Sequence, residues 1–70
     1  MMMDARKYNC WIVIRDREYL MARDKERDMY IFSPYKFDAA PMTQGQAQSI
    51  ARKICGYSKR FNHATGAYVE

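Results

Sequence analysis

The side chains that could carry out catalysis are few in this chain, and their spacing matches no common catalytic arrangement. His63 is the single histidine, and the two cysteines are Cys10 and Cys55. A thiolate activated by an imidazole is a common nucleophile. However, Cys55, the cysteine nearer to His63, falls beside the apolar stripe of a predicted helix, where a thiol is usually inert. We therefore expect His63 to be a solvent-facing loop residue and both cysteines to be small buried side chains.

The acidic residues favour ion pairing over catalysis or metal binding. Asp16, Asp24, Asp28 and Asp38 lie in predicted turns with basic neighbours, which suits paired carboxylates better than a general acid or a hard-metal site. Two cysteines without a Cys-x-x-Cys spacing make no zinc site. No Gly-rich loop and no nucleophile elbow is present. We predict a protein that is not an enzyme and holds neither a metal nor a cofactor.

A basic and aromatic segment near the C-terminus is a candidate nucleic-acid site. The net charge is +4, and residues 51–70 hold four Lys/Arg against Glu70. Basic groups bind phosphates while aromatic rings stack on unpaired bases. The same residues also suit a solvated helix end and a core, and no known reader motif is present. Nucleic-acid binding is therefore the alternative functional interpretation, and its candidate residues are Arg52, Lys53, Tyr57, Lys59, Arg60 and Phe61.

The first predicted secondary-structure element is a strand over residues 8–14, which is rich in aromatic and β-branched side chains. Both of its faces are largely apolar, which predicts either a central strand or a face covered by a partner. If a helix covers the Cys10 and Ile12 face, an apolar patch remains on the other one, and such patches mark interfaces. The partner-binding residues expected on this open face are Trp11, Val13, Arg15 and Tyr30. The equally weighted alternative is that Trp11 lies in the single core and the opposite face is only moderately apolar.

The remaining pattern predicts two more strands, one helix and a short last strand. Strands over residues 18–22 and 29–32 flank a charged loop at 23–28, and Pro34 ends the third strand. Thr43 and Gln46 form a capping box at the start of a helix. Its apolar stripe is Ala47, Ile50, Ala51 and Ile54. Gly56 suits the left-handed residue after the helix, residues 57–63 lead out of it, and residues 67–70 can add a strand.

Seventy residues allow one domain. We predict an α+β fold in which a three- to four-stranded antiparallel sheet, of order β-β-β-α-β, carries the helix on one face. Residues 1–7 are expected to be a flexible tail and residues 8–70 the domain. No signal peptide or membrane span is predicted, so we expect a cytoplasmic protein, in the host cytoplasm if it is viral. The predicted core is Tyr8, Cys10, Ile12, Ile14, Leu20, Ile31, Ala47, Ile50, Ala51, Ile54 and Val69.

One resemblance concerns the layout of residues 8–56. A hairpin containing residues 11–14 and 19–20 is followed by the helix segment at 40–51. This layout resembles small single-domain proteins of phages and mobile elements, including some anti-CRISPR and other anti-defence inhibitors. The resemblance implies a non-enzymatic interaction module that binds and occludes a host or defence-system protein complex, which is our first functional interpretation. A homodimer formed through open faces or strand edges is a further alternative.

Overall fold

A computed structural model describes residues 10–69 of the chain. The strands are β1 (Cys10–Arg15), β2 (Glu18–Asp24), β3 (Met29–Ser33), β4 (Tyr57–Asn62) and β5 (Ala67–Tyr68). One α-helix, α1 (Gln44–Ile54), follows β3 after a 3-10 turn at Lys36–Asp38. The strands form one antiparallel sheet of order β3-β2-β1-β4-β5. The α+β class with an antiparallel sheet and one helix is confirmed. The predicted tail and Tyr8 lie outside the described residues.

The strand count and order differ from the prediction. The described chain has five strands in the order β-β-β-α-β-β, because the segment expected to lead out of the helix is strand β4. This strand pairs with β1 along the full length from Cys10↔Phe61 to Ile14↔Tyr57. Its pattern is a poor strand signal, because Lys59 and Arg60 interrupt the apolar alternation.

Strand β1 is the central strand, and both of its faces are buried within this one chain. Ile12 and Val13, which point to opposite faces, are both 0% exposed. A strand with neighbours on both edges and cover on both faces needs two apolar faces, which explains its composition. The uncovered apolar face that we expected on β1 therefore does not exist.

The helix covers the Trp11 and Val13 face of β1, a choice that the sequence left open. Ala47 and Ala51 of α1 pack with Val13 and Leu20, and Trp11 borders this cluster. The small alanines let the helix approach the sheet closely above Val13. The prediction that Trp11 and Val13 stand on an open face is wrong, because these residues form part of the core under the helix.

The connection between β3 and α1 fills a gap in the sheet. The β1–β2 pairing covers only the pairs next to the turn, Ile14↔Tyr19 and Arg15↔Glu18. Where the two strands separate, Ala40 N–H donates to Leu20 O at 2.9 Å, and Met42 exchanges two 3.0 Å backbone hydrogen bonds with Trp11. Residues 40–42 thus run between β1 and β2, and they bring the chain to the helix face of the sheet.

A second cluster fills the sheet face away from the helix. Ile12, Ile14, Ala39 and Phe61 are buried there, and Tyr19 packs against them. Phe61 was expected to bind nucleic acid, but it is 0% exposed and has no ring surface available to a base. Ile31, which we placed in the core, is instead 41% exposed on the edge strand β3.

The start of the helix follows the prediction, and its end does not. Gln46 N–H donates to Thr43 Oγ1 at 3.3 Å, and Thr43 N–H donates to Gln46 Oε1 at 3.2 Å, which is the capping box. The left-handed residue is Cys55, with φ 58°, rather than Gly56. Gly56 is needed because a Cβ there would lie 2.6 Å from Ile14 O. Cys55, which we expected to be buried, is exposed.

Candidate functional site

The residues expected to bind a partner lie on the helix side of the sheet and do not form an exposed patch. Val13 is completely buried, and Trp11 and Tyr30 are half-buried against the helix cluster. Arg15 is also half-buried, with its guanidinium carbon 4.4 Å from the centre of the Phe32 ring. These side chains hold the helix-side core and its rim together.

The residues expected to bind nucleic acid are divided between two sides of the molecule. Arg52 and Lys53 are exposed on α1, and Arg60 pairs with Trp11 and so shares the helix side of the sheet. Tyr57 and Lys59 alternate with Arg60 along β4 and therefore point to the opposite face. The basic segment is thus not one continuous surface.

The sheet face away from the helix carries a group of aromatic rings that the sequence did not reveal as a group. Tyr19 and Tyr57 flank Ile14 in the strand register, and Tyr68 pairs with Phe61. The exposed fractions are 56% for Tyr57, 57% for Phe37 and 38% for Tyr68. We call this surface the tyrosine face and define it as Tyr19, Phe37, Tyr57, Lys59 and Tyr68.

Two of these tyrosines are joined across the sheet. The hydroxyl oxygens of Tyr19 and Tyr68 are 3.0 Å apart. Since Tyr19 is on β2 and Tyr68 on β5, the joined side chains span the face of the two strands between them and cover part of the Ile12 cluster. Burial, assisted by the hydrogen bond to Tyr19, raises the pKa of Tyr68 to about 12. The contact between the two hydroxyl groups restrains the Tyr68 side chain on this face.

Lysine side chains lie over the rings of this face. Lys59 Nζ is 4.8 Å from the centre of the Tyr68 ring, and Lys36 Nζ is 5.7 Å from that of Phe37. Ammonium groups at these distances are attracted by the negative ring faces. The nearby carboxylate of Asp38 accepts a 2.6 Å hydrogen bond from Ser33 Oγ. The result is an arrangement of neutral rings and ammonium groups on an open sheet surface.

The structure also pairs a cysteine with the histidine, but not the cysteine that sequence proximity suggested. Cys10 Sγ lies 3.3 Å from His63 Nδ1, and His63 Nε2 donates to Ala39 O at 2.9 Å. Since a carbonyl can only accept, Nδ1 of the neutral ring accepts from the thiol. The His63 ring also packs edge-on against Phe61, with centroids 4.7 Å apart. His63 is thus half-buried and fixed, contrary to our expectation of a solvent-facing residue.

This Cys–His contact is unsuited to attacking a substrate. Cys10 is only 3% exposed, and a nucleophile must reach the reacting atom directly. The pair instead ties β1 to the end of β4 and to the Ala39 segment. The two residues are 53 positions apart, so no local pattern could have revealed the contact. Cys10 and Cys55 are not joined by a disulfide.

Residues 10–69 offer neither a cluster of metal-binding side chains nor a membrane-spanning helix. No group of three or more His, Cys, Asp or Glu side chains in this part of the chain could hold a metal ion. Nor does this part contain a helix with the length and apolar character needed to cross a bilayer.

The fold and the site together describe a small α+β domain whose sheet has one helix-covered face and one face with exposed aromatic rings and lysines. Comparison with protein-family models, with curated proteins and with solved structures finds no match to this chain.

Proposed function

We propose that this protein is a non-enzymatic module that binds single-stranded nucleic acid through the tyrosine face. The observation that carries the proposal is that Phe37, Tyr57 and Tyr68 expose their rings on one sheet face, with an ammonium group over two of them. Aromatic rings on an open sheet provide stacking platforms for unpaired bases, and lysines beside them neutralise phosphates.

Charge and composition support a nucleic acid as the ligand. The chain has a net charge of +4, and lysine is depleted in the cores of protein interfaces, whereas it is a standard phosphate contact. A base within a duplex is stacked on both sides and cannot lie on a ring. We therefore expect the tyrosine face to prefer single strands over duplexes.

The test is fluorescence anisotropy with a labelled oligothymidylate at low salt. Tyr57→Leu removes the ring and keeps an apolar side chain, and it should weaken binding by about 1–3 kcal/mol, whereas Tyr57→Phe should bind like the wild type. Lys59→Gln should weaken binding, and Lys53→Gln, an equal change of charge on the helix side, should not. Failure of the wild type to bind any single strand would refute the proposal.

A second candidate function keeps the anti-defence interpretation. The tyrosine face, together with Tyr35 (70% exposed) and the exposed Met29 and Ile31 of β3, offers the aromatic and apolar side chains that dominate protein hot spots. On this alternative, the chain is a phage-type inhibitor that occludes a host or defence-system protein complex in the cytoplasm.

The inhibitor alternative is tested by affinity purification from nuclease-treated bacterial lysate, using the wild type and Tyr57→Leu. A protein that is captured by the wild type alone would support it. Capture of the same proteins by both would count against the tyrosine face as a protein-binding surface. Light scattering at high concentration tests the homodimer alternative, which requires a mass twice that of the chain.

A further inference from the structure

On the basis of the proposed function, we infer that the tyrosine face holds a stretch of about five nucleotides along β4, with one stacking platform at each end and phosphate contacts between them. Tyr57 forms one platform and Phe37 the other. Lys59 lies between the two platforms, and Lys36 lies beside Phe37.

The length of the site follows from the strand geometry. Tyr57, Lys59 and Phe61 are alternate residues of β4 and share one face. At about 3.3 Å per residue, Phe61 lies roughly 13 Å from Tyr57. The Phe37 ring packs on the buried Phe61 with centroids 6.2 Å apart, and therefore presents the exposed surface at that end. A stacked strand rises about 3.4 Å per nucleotide, so end bases roughly 13 Å apart are separated by about four steps, and the strand between the platforms is about five nucleotides long.

Each end of the site is fixed by its neighbours. Gly66 makes room for Phe37, because a Cβ at that position would lie 2.6 Å from Phe37 Cζ. The backbone of Tyr57 pairs with Ile14 on the central strand, which fixes the position of its Cα. Two platforms at a fixed separation favour a ligand of matching length, whereas a single ring would bind a mononucleotide almost as well as a longer strand.

The middle of the site supplies charge and less stacking surface than the two ends. Tyr68 is 38% exposed, against 57% for Phe37 and 56% for Tyr57, with Lys59 Nζ 4.8 Å from its ring centre and its hydroxyl bonded to that of Tyr19. The phosphates that cross it would meet Lys59 first, and Lys36 would meet a phosphate near Phe37. Two phosphate contacts on a single strand predict a slope of about −1.4 for log K against log salt concentration. Because stacking involves only the faces of the bases, we also expect the site to bind different bases with similar affinity.

The experiment measures anisotropy with oligothymidylates from the dinucleotide to the octanucleotide, at several salt concentrations. We expect affinity to rise at least about tenfold from the dinucleotide to the pentanucleotide. Beyond that length it should increase only in proportion to the number of ways in which a longer strand can be placed on the site. Phe37→Leu and Tyr57→Leu should each remove this length dependence. Circular dichroism establishes that both variants are folded.

The outcomes separate this inference from the function on which it rests. If no oligonucleotide binds, the proposed function fails. If single strands bind but affinity keeps rising steeply up to the octanucleotide, or if Phe37→Leu binds pentanucleotides like the wild type, the two-platform site is wrong while single-strand binding stands. A salt slope several times steeper than −1.4 would likewise place the ligand on a larger basic surface that includes the helix side.

Discussion

Replacing Phe61 is the sharpest test of the structural description, because the sequence placed this ring in a binding site and the structure places it in the core. Phe61 is 0% exposed and contacts the rings of Phe37, His63 and Tyr68. Truncating such a side chain to alanine costs about 3–5 kcal/mol. A domain of this size has a total stability of about 4–10 kcal/mol, so Phe61→Ala should lose roughly a third or more of it, and at the lower end of that range the variant should be unfolded.

Phe61→Leu gives a measurable version of the same test. Losing part of the ring volume should cost about 1–2 kcal/mol, which lowers the melting temperature by about 4–16 °C in a domain of this length. The assay is thermal and urea unfolding followed by far-ultraviolet circular dichroism.

The matched control is Tyr57→Leu, an aromatic-to-leucine change on the same strand and face at a position that is 56% exposed. We expect this change to alter stability by less than about 0.5 kcal/mol. If Phe61→Leu melted with the wild type, or if both variants lost the same stability, the assignment of Phe61 to the core would be refuted.

Three further predictions concern the helix ends and the tyrosine pair. Thr43→Ala should cost about 1 kcal/mol through loss of the cap, whereas the exposed Ser49→Ala, within the same helix, should change the urea midpoint little. Gly56→Ala should cost more than about 1 kcal/mol, because the added Cβ would lie 2.6 Å from Ile14 O; a wild-type melting curve would contradict this close approach. The pKa of Tyr68 is raised from 10.0 to about 12, so its neutral form stabilises the fold below pH 10, and this contribution disappears as the pH rises through 12. Solvent screening of the partly exposed ring limits it to about 1 kcal/mol. The stability difference between the wild type and Tyr68→Phe should therefore shrink over that pH range in urea titrations, and a constant difference would contradict the shift.

The elements of the fold that could be predicted are those whose formation depends on residues close together in the sequence. The helix start was predictable because Thr43 and Gln46 satisfy each other's backbone within one turn, and β1 was predictable from its β-branched residues. The covered face could not be chosen, since Ile12 and Val13 are equally apolar and both are buried. That choice depends on residues 40–42 pairing with Trp11 and Leu20, which no periodicity encodes.

The candidate site was less predictable than the fold, because its members come from distant parts of the chain. Tyr57 and Lys59 stood out through their basic neighbours, but strand alternation separates them from Arg60. Tyr19 and Tyr68 meet across 49 positions, and Phe37 reaches the face from a connection. Strand β4 was missed for the same reason that its face is of interest: it carries lysine and tyrosine where a buried strand would carry aliphatic residues.

The segment at residues 40–42 has a consequence for how the domain comes apart. Its amides are bonded to strands on both of its sides, to Leu20 of β2 and to Trp11 of β1, and it leads directly into α1. Displacing this segment from the sheet would open the seam between β1 and β2, so we expect the unfolding of the helix and of the sheet to be coupled. Hydrogen exchange at the Met42 amide should accordingly require global unfolding, and helix and sheet should denature as one cooperative unit.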